Sequence, residues 1–201
     1  MESKQNNQRI AKNTLFLYFR MLLTLIIGLY TSRVILATLG ISDYGLYNVV
    51  GGVVTMFAFL NGTLSTSTQR FLNFEMGKGN EQKVKMVFST ALRLHTMLVG
   101  LVLLLAETVG LWFVLNRLVI APDRMAAAFW VYQFSIIVVC IQIFQLPFMS
   151  TIVAHEKMSA YAYLSIYETL MKLVIVFILK WIDADKLILY AFLYMCVQVS
   201  V

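Results

Sequence analysis

Seven ionisable side chains interrupt long apolar runs: Arg20 and Arg33, then Arg93, His95 and Glu107, then Glu168 and Lys172. In water such residues would be unremarkable. At membrane depth a charge costs ~2.5 to above 10 kcal/mol, so it faces a cavity, finds a partner or reaches back to the headgroups. Glu168 and Lys172 are four apart, so they share a helix face and can neutralise each other, as a structural pair or an ion-coupling one. Arg33 lies close to a turn and is read as snorkelling. Arg93 either snorkels or faces a cavity, and Arg20 is read as facing inward. Glu107 has no partner on its own helix, and with His95 it could form a proton relay. The stretch 61–69 reads Asn-Gly-Thr-Leu-Ser-Thr-Ser-Thr-Gln. Its hydroxyls and amides, among them Ser65, Ser67 and Gln69, need partners that lipid does not offer. This half-segment is therefore expected to line the interior, either as a polar wall or as a close-packing face of small residues.

The elements that must hold these residues follow from the hydropathy. The chain has 201 residues, 60% of them hydrophobic and 13% charged, with two prolines. Its mean hydropathy is +0.79. Soluble domains carry about twice the charge, so an ordinary globular protein is excluded, and so is disorder. A membrane helix needs about 20 apolar residues. The pattern predicts an all-α, polytopic bundle of six transmembrane helices in one unit, 1–201. The approximate spans are 14–39, 44–69, 86–115, 125–153, 161–181 and 187–201. The first is too long for a cleaved signal peptide. The last falls short of a span and is read as a helix cut short. Gly40 suits a helix end, Ser42 or Asp43 the next N-cap, Pro122 a first turn, and Pro147 a kink.

The net charge of +6 is scattered through short loops, which suits membrane orientation and not nucleic-acid binding. Lys4, Arg9, Lys12, Arg70, Lys78, Lys83, Lys85 and Lys157 fall on one side. Arg33, Arg117, Arg124, Lys180 and Lys186 fall on the other. The bias of eight to five places the N-terminus in the cytoplasm, with Asp43 and Asp183 outward. No enzyme is expected. The chain has no phosphate-cradling glycine loop, no His-Glu-x-x-His and no Cys/His ligand spacing, so neither cofactor nor metal is predicted. Cys140 and Cys196 lie in apolar runs and give no disulfide framework.

Residues 39–50 read Leu-Gly-Ile-Ser-Asp-Tyr-Gly-Leu-Tyr-Asn-Val-Val, followed later by Gln69-Arg70-Phe71, Glu75 and Gly77. This resembles the first hairpin of the polysaccharide-exporter branch of the multidrug/oligosaccharidyl-lipid/polysaccharide superfamily, which includes the O-antigen flippases. The resemblance implies one six-helix lobe of a MATE-like fold, the N-terminal half, whose missing C-terminal lobe would face it across a cavity. It implies alternating-access export of an undecaprenyl-diphosphate-linked glycan across a bacterial cytoplasmic membrane. By position, Arg20 would meet the diphosphate, with Arg93 second and Ser65, Ser67 and Gln69 along the wall. The alternative within the superfamily is a cation-coupled multidrug exporter, for which Glu107, Glu168 and Lys172 would be the coupling residues. A membrane assembly subunit without transport is the third reading.

Overall fold

The computed structural model describes residues 2–182 and 184–201, leaving aside the side chains of residues 2–10, 12, 13 and 58–60. The side chains of Lys4, Arg9 and Lys12, and Asp183 altogether, therefore lie outside the described residues. Helix makes up 92% of the chain, and no strand occurs among the described residues. The order is α1 (Glu2–Thr55), a 3-10 turn (Met56–Ala58), α2 (Phe59–Gly77), α3 (Glu81–Leu105), a π segment (Ala106–Gly110) and α4 (Leu111–Asn116). A second 3-10 turn (Pro122–Arg124) leads into α5 (Met125–Ala154), α6 (Met158–Trp181) and α7 (Lys186–Ser200).

Four stretches are long and apolar enough to cross a membrane: Thr14–Thr55, Glu81–Asn116, Pro122–Ala154 and Met158–Trp181. Lys186–Ser200 is a shorter apolar helix. This is the build of a multi-pass membrane protein. The polar side chains of 61–69 keep α2 from counting as an apolar span. Leu15, Leu22, Ile26, Leu29, Leu101, Leu104 and Phe177 lie bare on the outer surface, a distribution that suits lipid and not water.

The first expected segment and the start of the second join into α1 with one break, and the rest of the second continues through the 3-10 turn into α2. Gly40 has φ 78° and ψ 169°, a left-handed φ that glycine adopts freely and other residues rarely do. The expected N-cap there is replaced by another use of the same residue. Asp43 stays helical in the first turn after the break, and its carboxylate accepts a hydrogen bond from Arg124 Nη2. Arg124 Nη1 reaches Asp185 Oδ2 at 2.8 Å. Asp185 caps α7 with its other oxygen, which accepts from Leu187 N at 3.0 Å and Ile188 N at 3.3 Å. One guanidinium thus ties together the Gly40 break, the loop before α5 and the turn before α7. At about 1.5 Å per residue, α5 carries the chain about 45 Å away from this clasp. There the α2–α3 turn, with Gly79 at φ 69°, shares a cleft with His155 at the end of α5. The two ends of the molecule are named here by Gly40 and Gly79.

α5 is the hub. It packs against α1, α2, α3, α6 and α7, and apart from a few glutamines and serines it is strongly apolar, as suits a central helix. Its helix runs unbroken through Pro147, with Thr151 Oγ1 donating to the Pro147 carbonyl at 2.8 Å. The small residues Ala106, Ala127 and Ala128 are buried together in the main core cluster with Tyr132. The π segment in the α3 rod has a partner on α5. Tyr132 is fully buried, and its hydroxyl donates to the Ala106 carbonyl at 2.7 Å, the same oxygen that accepts the widened backbone bond from Leu111 N.

A methyl group at Gly110 would stand 2.1 Å from Tyr132 Oη. Gly110→Ala should therefore cost about 2 kcal/mol through overpacking. Tyr132→Phe alone should cost about 1 kcal/mol for the lost hydrogen bond. Combined, they should cost less than their sum, because the colliding oxygen is gone. A denaturant titration of the four proteins in mixed micelles measures this coupling, and strict additivity would refute the assigned contact.

Candidate functional site

The polar residues left over from the core fall at three- and four-residue spacings, so each helix presents them as one stripe. α1 gives Arg20 and Thr24, and α2 gives Asn61, Ser65 and Gln69. α5 gives Gln142 and Gln145, α6 gives Tyr161, Ser165, Glu168 and Lys172, and α7 gives Gln198. These stripes converge on two open cavities. One, of about 380 Å³, lies between α1 and α6 and is lined by Arg20, Thr24, Ser165, Glu168 and Lys172. The other, of about 340 Å³, lies between α2, α5, α6 and α7 and is lined by Asn61, Ser65, Gln69, Gln142, Gln145 and Gln198, among others. Ser165 and Glu168 belong to both. A third cavity of about 190 Å³, with Asn48, Ser135 and again Gln142 in its wall, continues toward the Gly40 end.

Glu168 is the electrostatic centre. Its Oε1 accepts from Lys172 Nζ at 2.7 Å and from Gln198 Nε2 at 2.7 Å. Lys172 also lies 5.0 Å from the centre of the Tyr194 ring, whose face attracts the cation. Gln198 in turn accepts from Gln142 Nε2 at 3.5 Å through its side chain and from Gln145 Nε2 at 3.1 Å through its backbone carbonyl. Arg20 is held differently. Its Nη1 donates to Ser165 Oγ at 3.2 Å, and its guanidinium lies 4.7 Å from the Tyr161 ring centre. Its Nε is buried without a partner, and no carboxylate pairs with it among the described residues. The α1–α6 cavity therefore holds two cations against one carboxylate. A surplus positive charge with an unspent donor is the starting point of an anion site.

The expected site residues are partly assembled and partly dispersed. Arg20, Ser65, Gln69, Glu168 and Lys172 line the two linked cavities, and Glu168 pairs with Lys172 as their spacing implied. Gln69 Nε2 donates to Ser65 Oγ at 3.1 Å, and the Ser65 and Ser150 hydroxyls share a hydrogen bond at 3.3 Å. Ser67 lies two residues from each wall residue and so turns away, into an apolar groove between α2 and α3 that also contains His95. Arg93 lies on the exposed surface of α3, because burial of Ala91 and His95 fixes the rotation of that helix. Glu107 accepts from Gln133 Nε2 at 3.3 Å on α5, in none of these cavities. His95 Nδ1 bonds the Ala91 carbonyl at 2.7 Å, a full three turns from Glu107 along the rod, so no His95–Glu107 relay is assembled. Gln142, Gln145, Ser165 and Gln198 escaped the sequence reading because each is an isolated uncharged residue, unlike the dense polar run at 61–69. Their signal was the spacing of amides inside otherwise apolar runs.

Comparison with protein-family models, with curated proteins and with solved structures finds no match.

The Glu168–Lys172 pair should behave as a unit. Lys172→Met strands a carboxylate with only an amide for company and should destabilise the fold by about 1–3 kcal/mol, less than a fully buried pair because the cavity is open. Adding Glu168→Gln should recover most of that loss. Unfolding midpoints in micelles test it, and a double variant less stable than Lys172→Met would show that the two residues act separately.

Proposed function

We propose that this chain is one six-span lobe of a flippase for saccharides carried on a polyprenyl diphosphate. The observation that carries this reading is the surplus cation Arg20, at membrane depth beside a cavity walled by amides and hydroxyls. A diphosphate needs fixed cations, and Arg offers a planar fork matched to phosphate oxygens. The attached sugar needs neutral donors and acceptors, while the polyprenyl tail can stay in lipid. The LG-x-x-DYG-LY resemblance at residues 39–47 points the same way. The pairing of Glu168 with Lys172 argues against a cation-coupled drug exporter, which would need a carboxylate free to take up its ion.

Six spans are the reading supported by where the turns lie. The breaks at 40, 117–124 and 182–185 gather at one end, and the turns at 78–80 and 155–157 at the other. Alternating access would rock this lobe against a second one, exposing the cavity to each face in turn. The membrane is taken to be a bacterial cytoplasmic membrane, with the Gly79 end and the N-terminus on the cytoplasmic side. The chain acts here as a transporter and not as an enzyme.

Two experiments test the proposal. In an export assay with the second lobe present, Arg20→Lys should retain part of the glycan flux. Arg20→Ala should lose about tenfold or more, in line with the loss of a charge-assisted hydrogen bond. Both should insert normally, and wild-type flux in Arg20→Ala would remove the phosphate role. For orientation, single cysteines are placed in a Cys140→Ser, Cys196→Ser background. Ile41→Cys, exposed beside the Gly40 break, should react with an impermeant maleimide on whole cells, and Lys78→Cys should not. The opposite pattern would invert the topology.

A further inference from the structure

Among the five amides of the α2–α5–α6–α7 cavity, much hydrogen-bonding capacity is unspent. Each Gln or Asn side chain brings two donor protons and a two-lone-pair oxygen. Gln198 spends its amide on Glu168 and Gln142. Gln142 and Gln145 each give one N–H contact to Gln198, and their own amide oxygens have no partner among the described residues. Asn61 Oδ1 is buried with no partner at all. At membrane depth, groups of this kind are costly unless something occupies the space between them.

The charge balance says what kind of occupant fits. Lys172 already neutralises Glu168, so the amide cavity has no surplus charge to offer an ion. The surplus lies next door on Arg20, across the shared Ser165 and Glu168. We infer that the amide cavity is a saccharide subsite, in which Asn61, Gln142 and Gln145 read the hydroxyl or acetamido groups of the sugar next to the diphosphate. The inference rests on the flippase reading and adds to it the residues that decide between glycans. A neutral, donor-and-acceptor-rich ring directly attached to an anion is the ligand that would fill both cavities at once. Gln198 is a positioning residue, holding Gln142 and Gln145 toward the cavity and tying them to Glu168.

Binding separates the two subsites. The full chain is reconstituted in lipid nanodiscs, away from sugar-headed detergents that would compete for the cavity. Two radiolabelled probes are used: a short polyprenyl diphosphate bearing one N-acetylhexosamine, and the same lipid diphosphate without sugar. Wild type should hold the sugar-bearing lipid roughly tenfold more tightly, as expected where a site's hydrogen-bonding groups are left unpaired by the lesser ligand. Gln142→Met with Gln145→Met should erase that preference and leave the bare diphosphate bound as before. Asn61→Leu, on a different helix, should reduce it. Arg20→Gln should weaken both probes. Equal wild-type binding of both probes, or parallel losses in the amide variants, would overturn the saccharide subsite and leave the flippase reading standing. Binding of neither probe by wild type would overturn both.

Discussion

Inside a bilayer the backbone has no water to bond, and the form of this molecule follows from that constraint. Every long segment closes its own hydrogen bonds as a helix, and interruptions occur where another group takes over the polar work. At Gly40 the chain breaks and the neighbouring ends are gathered by Arg124, which satisfies Asp43 and Asp185 together. At Ala106–Gly110 the ladder loosens, and the Tyr132 hydroxyl adds a second bond to the Ala106 carbonyl. At Gly79 a left-handed residue turns the chain, and Asn80 accepts from Lys83 N at 3.1 Å to start α3.

The same constraint governs the side chains. The polar residues of α5, α6 and α7 cannot be left to lipid, so they find one another. Glu168 joins Lys172 to Gln198, and Gln198 joins both glutamines of α5. Arg20 is the exception. Its contacts are a serine and an aromatic face, and neither cancels its charge. Among the described residues no carboxylate pairs with it, and its Nε is buried without a partner.

Segment positions were legible in the sequence because hydropathy is additive along the chain. The expected bounds 125–153 and 161–181 lie within a few residues of α5 and α6, and the glycine at 40 marks the break it was expected to mark. Helix rotation was less legible. Which side of α3 turns inward depends on the small residues Ala106 and Gly110 meeting Tyr132, a contact between helices that no local pattern contains. Arg93 thus reaches the surface while His95, two residues on, is buried. On α2 the alternation of hydroxyls hid a division between two faces, with Ser65 and Gln69 toward the cavity and Ser67 toward the α3 groove. Asp43 was read as a local cap because its true partner, Arg124, is eighty-one residues away.

The two ends of the molecule are built differently. At the Gly40 end one guanidinium links three turns, so α1, α5 and α7 are held in register there. At the Gly79 end the α2–α3 turn and the end of α5 border a cleft of about 590 Å³, lined by Met76, Asn80, Lys85 and His155 among others. The cavities follow the same gradient, with the smallest toward the Gly40 end and those lined by Arg20 and the amides farther from it. The open volume of the bundle thus lies away from the end where its turns are tied together. The ion pairs of the clasp close one end, and the cavities lined by Arg20 and by the amides lie beyond it.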